Sequence, residues 1–158
     1  AMENTGWHLA DFDASLVAMP YEKSGGAYEA VGHYGYADYP DGQLRSSVSD
    51  MARFLAAVTN HGELGEARIL NSETVAEMLS PQFPTVDNGQ FIFWYSATTA
   101  GRAVVAHNGG DQGVATEVAF SPETGAGVII LMNVPWGNGV TNAAVAIQSL
   151  LFERAEAH

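Results

Sequence analysis

The residues best suited to chemistry stand together in one stretch, Ala106-His107-Asn108-Gly109-Gly110, followed by Asp111-Gln112-Gly113. An apolar run, Ala103 to Ala106, leads straight into a histidine and two glycines. Such a run reads as a buried strand. Paired glycines at its end allow positive φ, or the close approach of another group to the backbone. A histidine at the mouth of such a turn can face a cleft and exchange protons near neutral pH. Read alone, the stretch is better explained as a hairpin turn with a hydrogen-bonded histidine.

Other reactive side chains form weaker patterns. Ser46, Ser47 or Ser49 could join His33 or His107 and an aspartate in a triad. No Gly-x-Ser-x-Gly elbow supports that arrangement, and the serines sit where a helix begins, which capping explains better. A metal could be sought at His33, Asp38 and Asp41, or at His107 and Asp111. No His-x-x-x-His or carboxylate-paired helix accompanies them, so no metal site and no cofactor are expected. His8, His61 and His158 read as solvated surface residues.

The elements that position these residues follow from periodicity. Ser47 caps a helix expected over 47–61, with Asp50 three residues on. Val48, Met51, Ala52, Leu55 and Val58 form its apolar stripe, and Gly62 stops it. A short helix is expected at 72–79, capped by Asn71 or Ser72 and closed by Pro81. The period then becomes extended. Phe91–Tyr95, Ala103–His107, Val114–Phe120 and Gly127–Met132 are predicted strands, the last central and covered on both faces. Residues 139–156 form a helix with Val140, Ala143, Ala144, Ile147, Leu150 and Leu151 packed inward. Residues 1–20 give a turn and a short strand. Residues 21–45, rich in Tyr and Gly, give a long ordered loop with short extended pieces; its tyrosines could line a ligand cleft, but such residues more often simply cover a loop. The fold class is therefore α/β (α+β): an antiparallel sheet of about four strands, a C-terminal helix packed on it and two further helices.

Composition narrows the function. Eighteen acidic residues face six basic ones, for a formal charge of −12. This disfavours nucleic acid, which calls for clustered Lys and Arg, and anionic membrane surfaces. No apolar run approaches the ~20 residues of a membrane-spanning helix. There is no cysteine, which removes disulfides and thiolate catalysis.

Several stretches taken together resemble the C-terminal half of the serine β-lactamase-like hydrolases. That family includes class C β-lactamases, penicillin-binding proteins, D-aminopeptidases and esterases. Met2-Glu3-Asn4-Thr5-Gly6-Trp7 is similar to the family's Leu-Gly-Met-x-x-Thr segment. Asp41 through Phe54 looks like its Gly-Gly-Leu-x-Ser-x-x-x-Asp-Leu-Ala-x-Phe helix entry, and Gly62 through Val75 like the next turn and helix. His107-Asn108-Gly109 matches the His-Thr-Gly variant of the Lys-Thr-Gly strand motif. Gly113, Pro122 and Gly125–Asn133 follow in the family's order.

The resemblance implies hydrolysis of a small-molecule amide or ester through an acyl-serine. It implies that His107 tunes the proton network or holds a substrate carboxylate. Asn108 and Gly109 would border the substrate, and the Gly110 N–H would be one of two oxyanion donors. The sequence departs from the family in two motifs. Lys23 is the only lysine and position 20 is Pro20, so Ser-x-x-Lys does not occur; neither does Tyr-x-Asn or Ser-x-Asn. The expectation is a fragment, residues 1–158 as one C-terminal portion of a β-lactamase-like domain, inactive alone and oligomeric through an open sheet edge. The alternative is a non-catalytic domain binding a peptide, glycan or protein. Compartment is not legible in the sequence.

Overall fold

The computed structural model describes residues 1–157; His158 lies outside the described residues. A four-stranded antiparallel sheet forms the middle layer. Two short 3₁₀ turns, at Leu9–Asp11 and Ala14–Leu16, precede a hairpin of β1 (Tyr21–Ser24) and β2 (Ala27–Ala30). Then come α1 (Val48–Thr59), a two-residue hairpin of β3 (Glu63–Leu64) and β4 (Ala67–Arg68), and α2 (Ser72–Met78). The main sheet is β5 (Tyr95–Thr99), β6 (Arg102–Asp111), β7 (Val114–Phe120) and β8 (Gly127–Met132), in that spatial order. The chain closes with α3 (Asn138–Glu156). No helix among the described residues is long and apolar enough to cross a membrane.

Each face of the sheet carries its own apolar cluster. Val104 and Ala106 of β6, Ala119 of β7, and Val128 and Ile130 of β8 pack on Ala144 and Phe152 of α3. The alternate residues Val105 and Phe120 point the other way, onto Leu55 and Val58 of α1 and Trp94. Period-two alternation thus sorts one strand into two cores. Gly127 lets the layers close, because a Cβ there would stand 2.5 Å from Leu55 Cδ2.

The caps form as their side chains dictate. Ser47 Oγ accepts the Asp50 N–H at 3.1 Å, and Asn71 Oδ1 accepts the Thr74 N–H at 2.7 Å. Asp50 is buried at the start of α1, where its carboxylate accepts the Asn4 N–H and the Thr5 hydroxyl and pairs with Arg53. The N-terminal segment is thereby tied to the helix, and a backbone bridge between Gly6 and Arg45 continues the tie.

Six details differ from the sequence reading. Residues 1–20 hold two 3₁₀ turns and an isolated bridge at Gly6 in place of the expected short strand, because their backbone is committed to local turn bonds such as the Phe12 N–H to the Leu9 carbonyl. The aromatic run Phe91–Tyr95 is not a strand: Phe93 adopts φ 63°, Trp94 turns inward, and β5 begins only at Tyr95. β6 runs on past His107 to Asp111, so the paired glycines lie inside the strand and the turn comes at Gln112-Gly113. β8 is an edge strand of the sheet; contacts from α1 and α3 on its two faces account for its apolar sequence. In α3 the packed row is Ala144, Gln148 and Phe152, whereas Ile147, Leu150 and Leu151 are exposed. In α1, Val48 and Ala52 of the expected stripe are exposed as well.

Candidate active site

The site is built on the second half of β6. Its partner β5 pairs no further than Tyr95 with Ala106. From His107 to Asp111 the strand is therefore paired only on the β7 side, opposite Val118 to Val114. The tight turn at Gln112-Gly113 fixes which backbone groups face which way. In an antiparallel ladder, N–H and C=O groups alternate between the two edges. Residues 107, 109 and 111 address β7, and those of Asn108 and Gly110 are directed to the open edge. His107 lies on the α1 face, in line with Val105, and is solvent-exposed. Its ring centroid is 6.5 Å from that of Tyr95.

The two glycines earn their places by contact rather than by φ. A Cβ on Gly109 would stand 2.6 Å from Thr116 Oγ1, and one on Gly110 would meet Trp136 Cδ1 at 3.0 Å. The Trp136 indole N–H donates to the Gly109 carbonyl at 2.8 Å, clamping this part of the strand from the α3 side. Gly113 does need its positive φ of 72°, and it donates its N–H to Glu22 Oε1 of the β1 hairpin at 2.8 Å.

The tyrosine-rich loop folds back onto the end of β6. Tyr34 donates its hydroxyl to the Gln112 carbonyl at 2.7 Å. Burial, reinforced by the Asp111 carboxylate, pushes the Tyr34 phenol above its usual range. Burial and a hydrogen bond with Asp111 do the same to Tyr36, and burial with the Glu117 carboxylate to Tyr95. Each shift favours the protonated phenol at neutral pH.

The structure separates the other groups weighed from the sequence. Ser47 caps α1, Ser46 Oγ is 2.8 Å from Thr5 Oγ1, and neither hydrogen-bonds to His33 or His107. Ser49 is exposed on the first turn of the same helix. Among the described residues no three His, Asp or Glu side chains converge to hold a metal, so neither His33 with Asp38 and Asp41 nor His107 with Asp111 forms such a site. His61 is exposed, as expected; His8 is also exposed, with its ring tilted against Tyr39 at a centroid distance of 4.8 Å. Trp136 and the pairing of Tyr36 with Asp111 were not legible in advance, because neither belongs to a motif and both contacts span distant parts of the chain.

The family model described as Beta-lactamase matches residues 1–150. The chain belongs to the beta-lactamase family. A search of characterised proteins returned no match. The match includes every stretch on which the resemblance rested, from Met2 to Asn133, and makes the chain a member of a serine-hydrolase family. The α+β architecture, with its four-stranded antiparallel sheet and three helices, is that of a partial β-lactamase fold.

Proposed function

We propose that this chain supplies the strand-borne half of an acyl-transfer site that cleaves a small amide or ester. The observation that carries the reading is the open edge at His107–Asp111, where β6 has no partner strand. The Gly110 N–H, directed to that edge, donates to the oxyanion of the tetrahedral intermediate. A donor of this kind is worth roughly two to three orders of magnitude in rate. Asn108 and Gly109 border the scissile group. His107 holds a substrate carboxylate or completes the proton path to the leaving group.

The nucleophile is carried by residues outside this sequence, since no Ser-x-x-Lys occurs within it. The chain alone is accordingly inactive. β-Lactams, D-amino-acid peptides and simple esters all fit this chemistry. A non-catalytic binding domain on the same fold is the second reading, favoured by that missing motif. The two part at the gene. If the reading frame that encodes this chain also encodes Ser-x-x-Lys upstream, its full product should be acylated by a fluorophosphonate, and His107→Ala should slow acylation at least about tenfold, in keeping with the usual weight of acid–base groups. A frame without the motif, or an acylation rate indifferent to His107→Ala, would favour the binding domain.

A further inference from the structure

A second cleft includes none of His107 to Gly110 in its lining. It has a volume of about 290 Å³ and is lined by Trp7, His8, His33, Tyr34, Gln43 and Arg45 among others. That volume is at the small end of ligand pockets, near ~300 Å³. Its walls come from two segments, the N-terminal turn and the tyrosine loop. Arg45 joins them: Nη1 donates to the Trp7 carbonyl at 2.7 Å and to the Gln43 carbonyl at 3.5 Å, and Nη2 donates to the Tyr34 carbonyl at 3.1 Å.

Among the described residues, no carboxylate forms an ion pair with Arg45. Carbonyl oxygens carry no net charge, and the ion pairs among the described residues involve Arg53, Arg68 and Arg102. Among the described residues, the Nε–H and one Nη2–H have no protein acceptor, out of the five donors a guanidinium offers. In a chain with eighteen carboxylate side chains, none of the residues lining the cleft is Asp or Glu. Asp11 approaches from the rim, but its Oδ2 accepts the His8 backbone N–H at 3.0 Å. The cleft thus concentrates a half-buried guanidinium, two imidazoles and two aromatic walls on an otherwise acidic molecule.

We propose that this cleft binds a small carboxylate carrying a flat ring, with the carboxylate on Arg45 and the ring against Trp7 and Tyr34. A planar guanidinium favours carboxylates through paired, charge-assisted hydrogen bonds. Flat aromatic walls favour a flat ring. The site requires no nucleophile, so it stands or falls separately from the acyl-serine reading. Tyr34, which also bonds the Gln112 carbonyl beyond β6, links it to the first site.

Titration of the 158-residue chain with benzoate, followed by amide and indole resonances, tests this. Benzoate should give saturable shifts at the Trp7 indole N–H and the Gly35 amide. Benzamide, the uncharged isostere, should bind at least about tenfold more weakly, the factor that losing one charge-assisted hydrogen bond carries. Arg45→Gln should weaken benzoate by a similar factor. Because Arg45 also ties the loop, the comparison of benzoate with benzamide on the unaltered chain decides by itself. Equal binding of the two, equal binding of inorganic phosphate at the same resonances, or shifts confined to other parts of the chain would overturn the proposal.

Discussion

Asp50 shows how a single side chain joins segments far apart in sequence. Burial raises the cost of its charge, but hydrogen bonds from the Asn4 N–H and the Thr5 hydroxyl, with the Arg53 guanidinium, outweigh it. The carboxyl is held below its ordinary value of 3.8. A folded-state value below the unfolded one contributes stability that is complete above the unfolded pKa. That stability is lost as pH falls through the folded value. The urea midpoint should therefore drop from about pH 4 downward, and Asp50→Asn should flatten that limb while lowering the midpoint at pH 7. An acid limb unchanged by Asp50→Asn would show that other carboxylates carry it. Gly62 makes a different residue-scale point. It follows α1 with φ +90°, and an added Cβ would run into the Leu70 carbonyl oxygen. Gly62→Ala should cost about 1–2 kcal/mol from backbone conformation alone, more with the clash, read as a lowered denaturation midpoint. A neutral Gly62→Ala would mean that the turn relaxes freely.

At the scale of elements, periodicity made the helices and most of the sheet legible in the sequence. Ser47, Gly62 and the alternation in Val114–Phe120 are local signals, and the structure follows them. What stayed hidden was decided by distant partners. α3 is apolar on more than one side, so its sequence does not say which side packs. The sheet selects the row that ends in Phe152, and with it the polar Gln148, whose Nε2 donates to Glu117 on β7 at 3.1 Å. Phe91–Tyr95 has the composition of a strand. Its backbone is instead committed to turn contacts, such as the Phe91 N–H to the Trp94 carbonyl at 2.9 Å. The glycine pair reads as a turn until Thr116 and Trp136 are placed against it. Two substitutions test the packed row. Phe152→Ala should cost about 3–5 kcal/mol, whereas Leu150→Ala should stay within about 0.5 kcal/mol. Chemical denaturation of both variants gives the comparison, and a larger loss at Leu150 would place the buried face where periodicity had put it.

The whole molecule is three layers, α3, the sheet and α1, with the hairpin and tyrosine loop gathered at the Gln112-Gly113 end of β6. The family match over residues 1–150 takes in the whole sheet, α1 and most of α3. It does not by itself bring reacting groups together: on the proposed reading, the open edge of β6 supplies one half of a catalytic site. β8 is likewise open along its outer edge, and Ile147, Leu150 and Leu151 are exposed on α3. Such features pair with other chains. We propose that the chain self-associates through the β8 edge, so light scattering after size exclusion should give at least a dimer; a monomer at every concentration would refute this.

The central claim is that His107 to Gly110 complete a site whose nucleophile lies elsewhere. Its most direct test is the intact mass of this chain after incubation with a fluorescent penicillin and with a fluorophosphonate. The account predicts no adduct with either reagent. A stoichiometric adduct on any serine of this chain would contradict it and would identify an activated nucleophile within residues 1–158.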